Sequence, residues 1–176
     1  MNKSHWKHLC AVLAIFLLIG CQDMWDPDAD SGAWAIYRLN DPTLTTYQIR
    51  NEPLSTLQLA PLPFITVQDI EVYHWKSHTF QCTRKVSDML DSLARYGGST
   101  QGRPFVVSIN REPIYLGTFW WGYSSTMPCA PYVDILFAGR NQSCTIEAPP
   151  PALYADPRSD MRLYNALRRA HALSEE

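Results

Sequence analysis

Hydrophobic and polar positions alternate with different periods along this chain, and the periods predict its elements. Residues 33–39 (AWAIYRL) read as a strand closed by Asn40-Asp41-Pro42. Residues 44–50 fit either a strand or a short helix. Residues 51–66 carry Pro53, Pro61 and Pro63, which predicts extended chain wrapped over the surface and pinned by Leu57, Leu59 and Phe64. Residues 71–75 and 79–83 read as two strands around a Lys76-Ser77 turn, with Phe80 and Cys82 sharing the inward parity. Thr83 is a good N-cap. After it, Val86, Met89, Leu90 and Leu93 follow i, i+3, i+4, i+7, so a helix spans 84–96 with one buried stripe, stopped by Gly97-Gly98. Residues 104–110 and 114–120 predict a hairpin around Arg111-Glu112, followed by a loop over 122–131. Strands follow at 132–137 and 144–148, and Pro149-Pro150-Pro151 ends the sheet. Asp156-Pro157 opens a last helix over about 158–172, with Leu163, Leu167 and Ala170 on one side and Arg162, Arg168 and Arg169 around it. Together these elements predict an α+β domain, an antiparallel sheet with two helices packed on one face.

The N-terminus has no such alternation. Behind Lys3 and Lys7, residues 9–19 are an unbroken run of 11 apolar residues. A membrane-spanning helix needs about 20, so the run fits the core of a secretory signal instead. It ends in Leu18-Ile19-Gly20-Cys21, which resembles the lipobox of bacterial lipoproteins. That resemblance implies cleavage before Cys21 and acylation of its thiol. Residues 1–20 are then a signal peptide, 21–32 an acidic tether carrying Asp23, Asp26, Asp28 and Asp30, and 33–176 a single domain. Several acyl chains hold a protein to the lipid bilayer where one does so only marginally. Gln22, standing where an Asp would signal retention in the inner membrane, points to the outer membrane of the cell envelope. The acid-rich start is also similar to export tethers of surface lipoproteins, so the periplasmic and surface faces both stay open.

The middle of the chain carries a second resemblance. Asp69-Ile70, a strand ending in Thr83, the amphipathic helix and the GRPFVVSINREPIYLG hairpin follow the order of the periplasmic head subdomain of SecD-type export subunits. Asn110-Arg111 stands where those subunits usually have Asp-Gly. The pattern Asp69-Ile70, Tyr73, Trp75, His78-Thr79 with a late Asp156-Pro157-Arg158 is also similar to small bacterial lipoproteins. Both resemblances bear on fold; neither carries a translocase activity to this chain.

Composition narrows the chemistry. The net charge of −2 becomes −4 once the signal and its two lysines are removed, which speaks against a nucleic-acid partner. Of the five cysteines, Cys10 leaves with the signal and Cys21 is the lipidation site. Cys82, Cys129 and Cys144 then share an oxidising compartment. Cys129 precedes one predicted strand and Cys144 opens the next, so these two are expected to form a disulfide, leaving Cys82 a thiol. Closing a loop of that length is worth about 3 kcal/mol.

His74, His78 and Cys82 recur at i, i+4, i+8 and would form a zinc-ligand face on a helix, with Asp69 or Glu71 as a further ligand. The local pattern is two strands, so His74 and His78 read as surface or capping residues, with no metal or cofactor expected. An inward Cys82 reads as an inert thiol. Ser124 and Ser125 lack a Gly-x-Ser-x-Gly context, and the acids are too scattered for a catalytic pair. No catalytic residue is nominated. The unusual stretch is Phe119-Trp120-Trp121-Gly122-Tyr123. Trp120 and Trp121 point to opposite faces of a strand, so Trp120, Trp121 and Tyr123 are the expected binding surface for an envelope protein or glycan. The competing expectation is that the tether or the 51–66 wrap covers them. The resulting functional expectation is a membrane-anchored, non-enzymatic binding module. Its alternatives are an accessory subunit of an outer-membrane assembly and a small metal- or thiol-dependent enzyme.

Overall fold

A computed structural model describes residues 33–149 and 156–176. The signal, the tether and Cys21 lie outside the described residues. In chain order the elements are β1 (Trp34–Arg38), α1 (Thr46–Ile49), β2 (Ile65–Thr66), β3 (Ile70–His74), β4 (Thr79–Cys82), α2 (Arg84–Tyr96), β5 (Arg103–Ile109), β6 (Glu112–Trp120), β7 (Tyr132–Asp134), β8 (Ser143–Thr145), α3 (Met161–Arg169) and β9 (Leu173–Ser174). The fold is α+β.

The strands fall into two sheets among the described residues, ordered β2-β1-β5-β6-β7 and β8-β4-β3-β9. Most neighbours are antiparallel; β6 with β7 and β3 with β9 run parallel. One core joins both sheets to α2 and α3. Trp34, Ile36, Phe105, Val107 and Phe119 from the first sheet meet Tyr73, Phe80 and Cys144 from the second, with Val86, Leu90, Leu163 and Leu167 from the helices. Trp34 touches Tyr73 and Phe80 edge-on, each at 6.3 Å between ring centroids. Phe105 lies flat across β6 because Gly117 has no side chain; a Cβ there would stand 2.2 Å from the Phe105 ring.

The first sheet is covered on its other face too. Leu39, Ile49 and Val106 form a second cluster with Leu44, Leu57, Leu59 and Leu116, supplied by α1 and the proline-bearing chain after it. This explains why β1 and β5 are apolar at nearly every position instead of alternating. Residues 44–50 resolve as the helical alternative, opened by a Thr45–Gln48 capping box.

Three local differences from the pattern-based expectation have physical causes. The β5–β6 hairpin turns at Asn110-Arg111, with φ of 51° and 62°, and Ile109 pairs with Glu112. Two left-handed residues make the turn type whose twist matches a two-residue hairpin. The last helix is shorter than its periodicity suggests. Asp156 accepts from the Arg158 amide and Asp160 from the Arg162 amide, so two caps in series split a 3-10 turn (Pro157–Ser159) from α3. Ala170 is the exposed C-cap, and Ala166 and Ala172 take the buried places. Finally, β7 stops at Asp134, whose carboxylate accepts from the Leu136 amide at 3.0 Å and turns the chain.

Candidate functional site

The aromatic stretch at the end of β6 divides between interior and surface. Trp120 is 4% exposed and lies beside Tyr47 of α1, with ring centroids 6.4 Å apart. Tyr47 is held there by a 2.6 Å hydrogen bond from its hydroxyl to the Met127 carbonyl. Trp120 is therefore a packing residue, which corrects its expected place on a binding surface. The parity argument puts Trp120 and Trp121 on opposite faces, but both faces are covered. Trp121 is half-buried; its indole fills the space beside Gly98, 3.2 Å from where a Cβ would stand, and its Nε1 is buried without a partner. Tyr123 is 80% exposed and meets Trp121 edge-on at 5.9 Å.

The cysteines also need correction. Cys129 and Cys144 are free thiols, as is Cys82. The expected hairpin is reduced to one antiparallel bridge, Tyr132 with Glu147, while β7 pairs with β6 in one sheet and β8 with β4 in the other. Cys129 is half-buried in the loop before β7, where its charged neighbour is Arg50 at the end of α1. Cys144 sits in the core opposite Phe80, and burial followed by its neighbour Cys82 pushes its thiol upward. Burial, with Glu71 and Asp69 nearby, raises Cys82 to about 11, so at neutral pH it is a protonated and unreactive thiol.

His74 and His78 take different roles. His74 is half-exposed at the end of β3, next to the inward-facing Tyr73. His78 is 6% exposed with φ of 53°, a left-handed turn residue whose ring is folded back into the protein. Its Nδ1 is 3.1 Å from the Tyr73 hydroxyl and its Nε2 is 3.9 Å from Asp156 Oδ2. Asp156 holds Arg158 through both oxygens, at 2.9 Å from Nε and 2.6 Å from Nη2, and Arg158 Nη1 donates to the Ile146 carbonyl at 2.5 Å. Tyr73, Trp75, His78, Asp156 and Arg158, set out in the sequence as two distant patterns, thus converge. Trp75 covers His78 at 5.6 Å and is itself met by Tyr164 of α3 at 5.2 Å. Burial, aided by the Arg158 charge and opposed by Asp156, lowers the His78 pKa; the Arg158 hydrogen bonds lower that of Asp156. Tyr73 and His78 are 3% and 6% exposed, so the inner part of this polar clasp is buried, while the Asp156 side chain keeps 31% of its surface. It fastens the C-terminal segment to the β3–β4 hairpin.

An open site lies elsewhere. A groove of about 490 Å³ runs between α2 and the chain entering β2. Its walls are Phe64, Met89, Leu93 and Tyr96, with Ser92 and Arg38 as polar members. Phe64 is anchored from below by Phe119 at 5.3 Å. Tyr96 is 86% exposed at its lip, and Leu62, next along the chain from the Pro63 that also lines it, is 78% exposed. The Arg38 guanidinium stacks over the Phe64 ring at 5.1 Å and meets no carboxylate or hydrogen-bond acceptor among the described residues. Arg103 clamps the end of α2, donating to the Gly97 and Pro42 carbonyls at 3.3 and 2.7 Å. Gly97 lines the groove, and Gly98 carries the surface on to Trp121 and Tyr123. Sequence periodicity missed this groove because its walls come from three separate segments.

Among the described residues, no group of three or more His, Cys, Asp or Glu is placed to hold a metal ion, and no helix is long and apolar enough to cross a membrane. Compared with known proteins, the chain matches no family model, no curated sequence and no solved structure.

Proposed function

We propose that this chain is an envelope lipoprotein, held at the outer membrane through an acylated Cys21, whose domain acts by binding and not by catalysis. The observation that supports binding is the groove beside α2, open, walled by apolar side chains and lipped by the exposed Tyr96. Large aromatic side chains left outside a core that has room for Trp34, Phe105 and Phe119 mark an interaction surface better than they mark a fold requirement. Tyr123 and Trp121 extend that surface. The titratable and thiol side chains offer less: the His78 clasp, Cys82 and Cys144 are buried, and their hydrogen bonds or packing account for them.

Two measurements test the reading. Cys21→Ala is expected to block removal of residues 1–20 and stop incorporation of labelled palmitate; continued labelling sinks the anchor. A photo-crosslinking side chain placed at Tyr96 is expected to capture a discrete envelope component that one at Glu52, an exposed site on the other side of the first sheet, does not. Equal capture at both positions removes the groove as the binding face.

A further inference from the structure

Resting on that reading, we propose that the occupant of the α2 groove is an extended segment of a partner polypeptide in which an apolar side chain stands next to a carboxylate. The walls favour an apolar side chain: Phe64, Met89 and Leu93 present carbon surface, and each is partly covered already, so an inserted side chain completes their burial. The polar members decide what accompanies it. Arg38 is a planar fork of donors, and a guanidinium with no acceptor among the described residues matches a carboxylate in both charge and geometry. Stacking on Phe64 holds that fork at the groove floor before a ligand arrives, which lowers the ordering cost of binding.

Among the described residues, Arg38 is the one charged residue in the groove lining. Lys85 on α2 is occupied by Asp69 at 3.1 Å, and Arg103 by two carbonyls. A glycan fits the lining less well. A sugar ring brings many hydroxyls, and the groove offers only the Ser92 and Tyr96 hydroxyls and Arg38 to meet them. Each hydroxyl buried without a partner costs binding free energy.

The test uses the full chain with its anchor in detergent micelles, and fluorescence anisotropy as the readout. The probes are a labelled octapeptide centred on Leu-Phe and flanked by glutamates, the same peptide flanked by lysines, and a labelled N-acetylglucosamine tetrasaccharide. The acidic peptide is expected to bind about tenfold or more tightly than the basic one, the range of one charge-assisted pair. Arg38→Gln is expected to erase that preference and Arg38→Glu to reverse it, while Tyr96→Ser weakens both peptides; unchanged melting of each variant shows that the fold is intact. Peptide binding that ignores the flanking charge, or survives Arg38→Gln unaltered, overturns the carboxylate assignment and leaves the groove as a binding site. Tyr96-dependent binding of the tetrasaccharide in place of the peptides overturns the polypeptide assignment. If no probe binds, the proposed occupant falls; if in addition the crosslinker at Tyr96 captures no more than the one at Glu52, the binding reading falls with it.

Discussion

Arg158 and Arg38 show two ways this protein treats a guanidinium. Arg158 is largely buried and each of its three guanidinium nitrogens donates, Nε and Nη2 to the Asp156 carboxylate and Nη1 to the Ile146 carbonyl. Arg38 is exposed, lies on an aromatic ring and has no acceptor among the described residues. The aromatics divide the same way: Tyr73 and Trp75 close over the clasp, whereas Tyr96 stands open at the groove. Removing a committed group leaves its partners unsatisfied, and removing an open one leaves nothing unsatisfied. Stability and binding should therefore respond to different residues.

The largest effect is expected where an aromatic is most committed. Trp120→Ala should cost about 3–5 kcal/mol, the range for truncating a buried large side chain, because it empties the space under Tyr47. Tyr123→Ala, three residues on and exposed, should stay within about 0.5 kcal/mol. Urea unfolding of the two variants measures both, and equal losses would erase the distinction between interior and rim.

Arg158→Ala comes next. It strands the Asp156 carboxylate beside His78 and leaves the Ile146 carbonyl without its donor. A fully buried pair broken in this way costs about 3–5 kcal/mol; here Asp156 retains some water contact, so about 2–3 kcal/mol is expected. The same denaturation experiment measures it, and a loss under about 0.5 kcal/mol, the ordinary range of a surface site, would make the clasp a surface ion pair.

The clasp also predicts an acid response in two stages. The folded His78 pKa lies below its ordinary 6.5, so the unfolded chain takes up this proton first. Stability from His78 is complete above pH 6.5 and declines as pH falls from there through the folded pKa, at no more than about 1.4 kcal/mol per pH unit for one proton. Below 3.8 a second decline follows, because hydrogen bonds hold the folded pKa values of Asp69 and Asp156 down and the unfolded chain takes up these protons before the folded one does. His78→Asn keeps a residue that tolerates the left-handed turn and should remove only the first stage. Stability measured from pH 7 to pH 5 checks this; an unchanged slope in the variant would assign the first stage to another group.

How much of this the chain announces depends on how local each feature is. The helix over 84–96 is a local pattern, and its Thr83 start and Gly97 stop are where the periodicity and the glycines put them. Its stripe is less simple. Val86 and Leu90 enter the core, but Met89 and Leu93, equally apolar and correctly spaced, line the groove half-buried. Helical spacing shows which residues share a side of the helix, and not where the neighbouring layer stops. The sheets are harder still. Whether residues 132–134 pair with 143–145 is a choice among partners far away in sequence, and the competing pairings with β6 and β4 separate Cys129 from Cys144. The Tyr73, His78, Asp156 and Arg158 set was visible as sequence pattern, but only the β3–β4 turn and the Asp156 cap bring it together.

The smallest stability effect is expected at Arg38, and its smallness is what the comparison requires. Arg38→Gln removes one exposed stacking contact, worth about 0.5–1 kcal/mol, and breaks no side-chain hydrogen bond among the described residues. The glutamine stem still covers part of the Phe64 ring, so the net loss should fall at or below the lower end of that range. Phe64 itself stays fixed by Phe119 beneath it and by the hydrogen bond its backbone N–H donates to the Ile36 carbonyl at 2.8 Å, so the groove wall should not move. A Arg38→Gln variant that melts with the wild type and loses its preference for the acidic peptide would separate the two guanidinium groups by function. One that unfolds as readily as Arg158→Ala would show that Arg38 is committed to the fold, and the groove would lose the feature that selects its ligand.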